Sequence, residues 1–184
     1  MRDVLHALRE VLNALETIDV PYFVVGSVAA TWWGTVRATR DADLVVAIDA
    51  AEFARLEACL DRARFYWPPD AAMTAVATYR AFNIIDLDGG GKVDVFVVDP
   101  TERFNASRLS RRVRVELFGQ PMWVASAEDV VLAKLRWRLE SRSEQQWRDC
   151  VEIVAANDDL DTAYLRYWAE QQGTTADLDE LLKR

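Results

Sequence analysis

Three aspartates and a glycine turn carry the chemistry that this sequence suggests. Gly26-Ser27 is followed, fourteen residues after the serine, by Asp41-Ala42-Asp43, which heads the apolar run Leu44-Val45-Val46. Asp94 is embedded in a second strand-like run, Lys92-Val93-Asp94-Val95-Phe96-Val97-Val98. Alternate residues of a strand point to one face, about 6.5–7 Å apart, so Asp41 and Asp43 project side by side while Ala42 turns away. Two ionised carboxylates at that spacing repel each other unless a cation stands between them. Hard oxygen donors at the mouth of a strand favour Mg²⁺, which keeps several waters and takes phosphate oxygens as further ligands. A carboxylate among valines is costly unless it is solvated, paired or metal-bound, which marks Asp94 as a third member. It can bind a second metal and accept the proton of an attacking hydroxyl. The chemistry expected of Asp41, Asp43 and Asp94 is therefore in-line attack on the α-phosphorus of a nucleoside triphosphate, with one or two Mg²⁺ ions and pyrophosphate as the leaving group.

The neighbouring residues supply contacts for such a substrate. Gly26 lets the backbone approach phosphate oxygens with no Cβ in the way. Ser27 offers a hydroxyl and an amide at the start of the following short helix, where backbone N–H groups attract anions. Arg37 and Arg40 flank the first carboxylate, and either one can steady triphosphate charge, with the Thr39 hydroxyl available to the turn between them.

The elements that must position these groups follow from periodicity. Val4, Leu5, Leu8, Val11, Leu12, Leu15 and Ile18 recur at helical spacing and predict an amphipathic helix over residues 2–18, ended by Asp19 and Pro21. A short strand over 22–25 stops at Gly26, a brief helix covers about 28–33, and a strand runs over 43–48. Asp49 with Glu52 reads as a capping box for a helix over about 50–64. Trp67-Pro68-Pro69-Asp70 reads as a loop. Residues 82–87 and 93–98 read as a hairpin across Asp88-Gly89-Gly90-Gly91, which assigns Asp88 to the turn rather than to the acidic site. Val113, Val115 and Leu117 alternate with charged neighbours and read as a strand that pairs with residues 122–124. Ser126, with Asp129 three residues on, starts a helix over about 127–140, and further helices cover about 143–156, 162–172 and 176–183. The expected fold class is α/β (α+β), a mixed β-sheet flanked by helices. Residues 1–125 form its core, and 126–184 form a helical C-terminal region packed on it.

Composition narrows the setting. The chain has 184 residues, 51% of them hydrophobic, enough for one domain with a real core. No stretch reaches the length of a membrane span and the first residues show no apolar leader, so a cytoplasmic location is expected. Two cysteines, Cys59 and Cys150, fall in helical patterns and read as buried free thiols. The one histidine, His6, excludes zinc sites built from several imidazoles and reads as exposed. A net charge of −8 opposes general nucleic-acid coating. Segment 103–148 nevertheless holds ten Lys or Arg against five Asp or Glu, a local excess that fits either a solvated edge or a route for a polyanion such as RNA or tRNA. The seven tryptophans read mainly as packing residues, with Trp32 or Trp33 the candidates to stack on a base.

Gly26-Ser27, then Arg37-Ala38-Thr39-Arg40-Asp41-Ala42-Asp43-Leu44, then Val93-Asp94-Val95, resemble the minimal members of the DNA polymerase β-like nucleotidyltransferase superfamily. Within it, the Arg-x-Thr-x-Asp-x-Asp pattern resembles the AbiEii-type toxin nucleotidyltransferases. Ser126 to Lys134 and Trp147-Arg148-Asp149 resemble that group's later lysine helix and aspartate. The resemblance covers about residues 20–155 and implies a nucleotidyltransferase fold. It implies an acceptor hydroxyl on RNA, tRNA or protein, and a toxin role with an antitoxin partner. It also implies a triphosphate contact from Lys134, with Asp149 as a partner for Lys134 or Arg148. A small-molecule acceptor of the antibiotic type, for which the acidic net charge suits a cationic molecule, is the alternative. So is a non-catalytic nucleotide-binding module.

Overall fold

The apolar stripe Val4, Leu8, Val11, Leu12 and Leu15 is the buried side of helix α1 (Arg2–Thr17) in a computed structural model that describes residues 2–36 and 39–183. The chain then alternates strands and helices: β1 (Tyr22–Val25), α2 (Gly26–Trp32), β2 (Asp41–Val46), α3 (Ala50–Cys59), β3 (Phe65–Tyr66), α4 (Pro69–Thr78), β4 (Ala81–Asp86) and β5 (Lys92–Val97). Helix α5 (Arg103–Arg111), β6 (Val113–Leu117) and β7 (Gln120–Val124) follow, and then α6 (Ala127–Ser141), α7 (Glu144–Ala156), α8 (Thr162–Gln172) and α9 (Thr175–Leu181). The strands form one seven-stranded sheet in the order β3-β4-β5-β2-β1-β7-β6. Two pairs, β2–β5 and β1–β7, are parallel and the others are antiparallel, so the sheet is mixed.

The pleat divides the central strands into two faces. Val24, Leu44, Val46, Val93, Val95, Phe82 and Ile84 are buried on one face, where α1 packs on β2, β4 and β5 and α4 packs on β4. On the opposite face α2 packs on β1 and β2 and in turn against α6. That face stays partly open over β5 and β4, where Lys92, Asp94 and Phe96 alternate with buried valines. Burying one face beneath α1 and α4 while leaving this strip open is what puts polar side chains of β2 and β5 at the edge of a cleft.

Several elements differ from the expectation. Helix α3 stops at Cys59 rather than near residue 64, because Asp61 captures the Ala63 amide and redirects the chain into the edge strand β3, which pairs with β4. Pro69 and Asp70, expected in a loop, begin α4: proline suits the first helical turn, where its missing N–H would have no partner anyway. Helix α5 was not anticipated at all. The Glu102 carboxylate caps it by accepting from the Phe104 and Asn105 amides. Cys150 is buried as expected, but Cys59 is exposed, and both thiols are free. Among the described residues no helix is long and apolar enough to cross a membrane.

Candidate active site

Strand register brings the two halves of the acidic motif together. Asp43 on β2 stands opposite Val25 on β1 and Asp94 on β5, and Asp94 in turn stands opposite Asn83 on β4, so one polar row crosses three strands beside the end of β1. Asp41 lies two residues earlier on the same face, opposite Lys92. The Thr39 hydroxyl donates to the Asp41 carbonyl at 2.7 Å and fixes the approach to β2.

Gly26 is required at the end of β1 on steric grounds. Its φ is +62°, a left-handed conformation, and a Cβ placed there would lie 1.9 Å from Asp43 Oδ2. The glycine therefore does more than tolerate a turn: its bare Cα is the surface against which the Asp43 carboxylate rests. Asp43 Oδ2 thus lies directly beside the start of α2, where Ser27 is buried.

Electrostatics set the three carboxylates apart. Burial holds the Asp43 carboxyl above its usual range, and the like charges of Asp94 and Asp41 push in the same direction, against the pull of Lys134 and Lys92. The Lys92 ammonium lies 2.9 Å from Asp94 Oδ2 and 3.6 Å from Asp41 Oδ2. In the orientation that satisfies both of its atoms, the Asn83 amide donates to Asp94 Oδ1 at 2.6 Å. Among the described residues no three carboxylates, imidazoles or thiols converge on one point as a metal cluster. The donor set still fits a hard divalent cation: three carboxylates share one sheet face, one of them strained by the charge of the other two, and a lysine cation already stands between Asp41 and Asp94.

A cleft of about 340 Å³ opens beside this row. Gly26, Ser27, Asp43 and Phe96 line its sheet side, and Arg108, Asp129, Lys134 and Trp137 line the side formed by α5 and α6. Ser126 caps α6 by accepting from the Asp129 amide, while the Asp129 carboxylate accepts from the Ser126 hydroxyl and from the Tyr164 hydroxyl at 2.7 Å. Burial raises the Asp129 carboxyl above its usual range despite those donors and the nearby Arg108.

The other expected site residues fall as follows. Lys134 is buried; it lines the cleft, and its ammonium is held by Asp149 at 2.6 Å and by Gln146 at 3.2 Å. Asp149 is thus the partner of Lys134, and it also accepts from Gln145 at 2.7 Å. Arg40 is exposed and is not among the residues lining the cleft. Arg37 lies outside the described residues. Trp32 and Trp33 do not line the cleft either: the Trp33 indole donates to the Ala125 carbonyl at 2.8 Å. Trp137, 58% exposed on α6, is the tryptophan at the cleft. Sequence reasoning missed Lys92, Asn83 and Arg108. The first carried a usable signal, since it precedes Asp94 by two residues and so shares its face.

The fold is shared with solved nucleotidyltransferases. The structure matches an antigenic nucleotidyltransferase-like protein from Paracoccidioides brasiliensis with a TM-score of 0.55 at 18% identity, over 98% of this chain and 93% of that one. It matches ANT(2")-Ia in complex with adenylyl-2"-tobramycin with a TM-score of 0.59 at 12% identity, over 96% and 97% of the two chains. It matches the lincosamide antibiotic adenylyltransferase LnuA, lincomycin-bound, with a TM-score of 0.54 at 13% identity, over 85% and 97%. By sequence, no family model and no curated protein matches the chain.

Proposed function

We propose that this chain, which has the nucleotidyltransferase fold, transfers a nucleoside monophosphate from a nucleoside triphosphate to a hydroxyl of a small, cationic acceptor molecule. The observation that carries the transfer chemistry is the row Asp43–Asp94 beside Asp41, with Asp43 seated against the bare Cα of Gly26. Asp41, Asp43 and Asp94 would hold Mg²⁺, which neutralises phosphate charge when bound. The Gly26-Ser27 turn receives phosphate oxygens on the sheet side of the cleft. Asp94, oriented by Lys92 and Asn83, accepts the proton of the acceptor hydroxyl. The acceptor oxygen bonds to the α-phosphorus as the bond to the leaving pyrophosphate breaks.

Six of the ten cations in segment 103–148 support this acceptor class, because the protein itself engages them. Arg111 pairs with Glu128 and Asp161, Arg114 with Glu16, Lys134 with Asp149, Arg136 with Glu140 and Arg138 with Asp177. Arg112 stacks on Trp123 and donates to the Leu109 carbonyl. These cations hold helices and strands together rather than forming a track for a polyanion. An RNA or tRNA acceptor, with the toxin role and antitoxin partner that go with it, therefore ranks second. A chain of net charge −8 attracts cationic molecules instead. Free Cys59 and Cys150 fit a reducing cytoplasm.

The test is incubation with α-labelled nucleoside triphosphates, Mg²⁺, and separate pools of total RNA, protein and polycationic hydroxylated small molecules. Label is expected in the small-molecule pool. Label confined to RNA would overturn the acceptor class while leaving the transfer chemistry standing.

A further inference from the structure

Arg108 is a cation whose counter-charge the protein does not supply. It projects from α5 into the cleft that holds Asp43 and Ser27. Its guanidinium carbon lies 4.8 Å from the centroid of Phe23, which is fully buried on β1, and 5.2 Å from that of Phe104. Its Nε is buried and has no hydrogen-bond partner. Among the described residues Arg108 makes no hydrogen bond or ion pair, whereas Arg111 one turn on has two carboxylate partners. The groups that act on it from further away, Asp129, Tyr164 and Glu102, are engaged elsewhere. Asp129 and Tyr164 bond to each other, and Glu102 caps α5. Burial lowers the guanidinium's pKa, yet arginine stays charged throughout the physiological range. A half-buried charge with no ion-pair partner gives up part of its hydration without compensation, a cost that a bound anion offsets.

We propose that Arg108 is an oxyanion subsite of the cleft, which takes the non-transferred phosphates of the bound nucleotide on the wall opposite Ser27. Two aromatic rings hold the guanidinium in place, and the ligand provides the missing charge. The planar fork of arginine suits paired contacts to phosphate oxygens. Because those phosphates leave together as pyrophosphate, Arg108 would stabilise the charge that builds on the leaving group. The assignment rests on the nucleotidyltransferase reading above.

The experiment compares wild type, Arg108→Met and Arg108→Lys by calorimetric titration with ATP, AMP and inorganic tripolyphosphate in the presence of Mg²⁺, alongside thermal melts without ligand. Arg108→Met is expected to bind ATP and tripolyphosphate at least about tenfold more weakly, a single charged contact being lost, while AMP binding is unchanged. The same variant is expected to melt no lower than wild type when ligand-free, because a half-buried charge without an ion-pair partner has been removed. Arg108→Lys should fall between the two in ATP affinity. Equal weakening for ATP and AMP, together with a lower melting temperature, would mark Arg108 as a packing residue and overturn the proposal. So would unchanged tripolyphosphate affinity. A wild-type protein that binds neither ATP nor tripolyphosphate would instead remove the reading on which the subsite depends.

Discussion

Replacing Gly26 with alanine separates the cost of a strained backbone from the cost of a displaced carboxylate. Alanine at φ +62° pays about 1–2 kcal/mol for a left-handed conformation. In a chain of this length each kcal/mol lowers the melting temperature by roughly 2–4 °C, so a fall of about 2–8 °C is expected. The new Cβ would also lie 1.9 Å from Asp43 Oδ2 and 2.8 Å from its Cγ, far inside contact distance. The carboxylate must retreat by more than an ångström, and misplacement on that scale costs on the order of 100-fold in rate. Gly90 provides the control. Its φ is +71° and no atom lies within 4 Å of an added Cβ, so Gly90→Ala bears a similar backbone cost with nothing displaced. Both variants should melt lower by comparable amounts, read by calorimetry. Only Gly26→Ala should lose nucleotidyl transfer and metal-dependent nucleotide binding. Transfer rates within about twofold of each other in the two variants would refute the claim that the Gly26 Cα is the seat of Asp43.

Three further perturbations test the electrostatics of the site. Asp43 has a folded pKa raised above its unfolded value of 3.8, so the folded state holds the proton more tightly and stability falls as pH rises through that window; Asp43→Asn should therefore melt higher than wild type at neutral pH, with the gap closing in acid. Paired melts across pH check this, and a gap that widens in acid would contradict it. Lys92→Met removes the ammonium that lies 2.9 Å from Asp94 and 3.6 Å from Asp41, so Mn²⁺ titration should show tighter metal binding, with stability changed by less than about 1 kcal/mol because the pair is partly exposed. Weaker Mn²⁺ binding would show that the lysine supports the site rather than competes for it. Lys134→Met takes from the buried Asp149 its 2.6 Å partner and should cost about 3–5 kcal/mol in urea unfolding, whereas Lys134→Met combined with Asp149→Leu should recover most of that loss.

What the sequence made legible was local. The alternation Asp41-Ala42-Asp43 and the valines around Asp94 specify a shared strand face by period alone, and the glycine turn announces the end of β1. The cross-strand pairing that gives these residues their meaning is not local. Lys92 reaches Asp41 only because β2 and β5 run parallel with Asp41 opposite Lys92, a register that forms across fifty residues of intervening chain. Helix α5 was hidden because its only large apolar residues are Phe104 and Leu109 among arginines and serines, so its amphipathic signal is thin. Arg108 was consequently read as one charge in a basic run. Its role depends on Phe23, eighty-five residues earlier, and on the lack of an ion pair to it among the described residues. The two readings of the basic segment could not be separated for the same reason: a net local charge does not reveal which partners fold back upon it. Helix α4 shows the opposite error, since Trp67-Pro68-Pro69-Asp70 reads as a loop although Pro69 opens a helix.

The most direct test of the central claim is to supply ATP labelled at either the α- or the γ-phosphate, with Mg²⁺ and the acceptor pool, to wild type and to Asp43→Ala. Nucleotidyl transfer predicts that α-label becomes attached to acceptor, that γ-label appears as pyrophosphate, and that both products vanish in the variant. Attachment of γ-label to acceptor, or α-label transfer that persists in Asp43→Ala, would contradict the account.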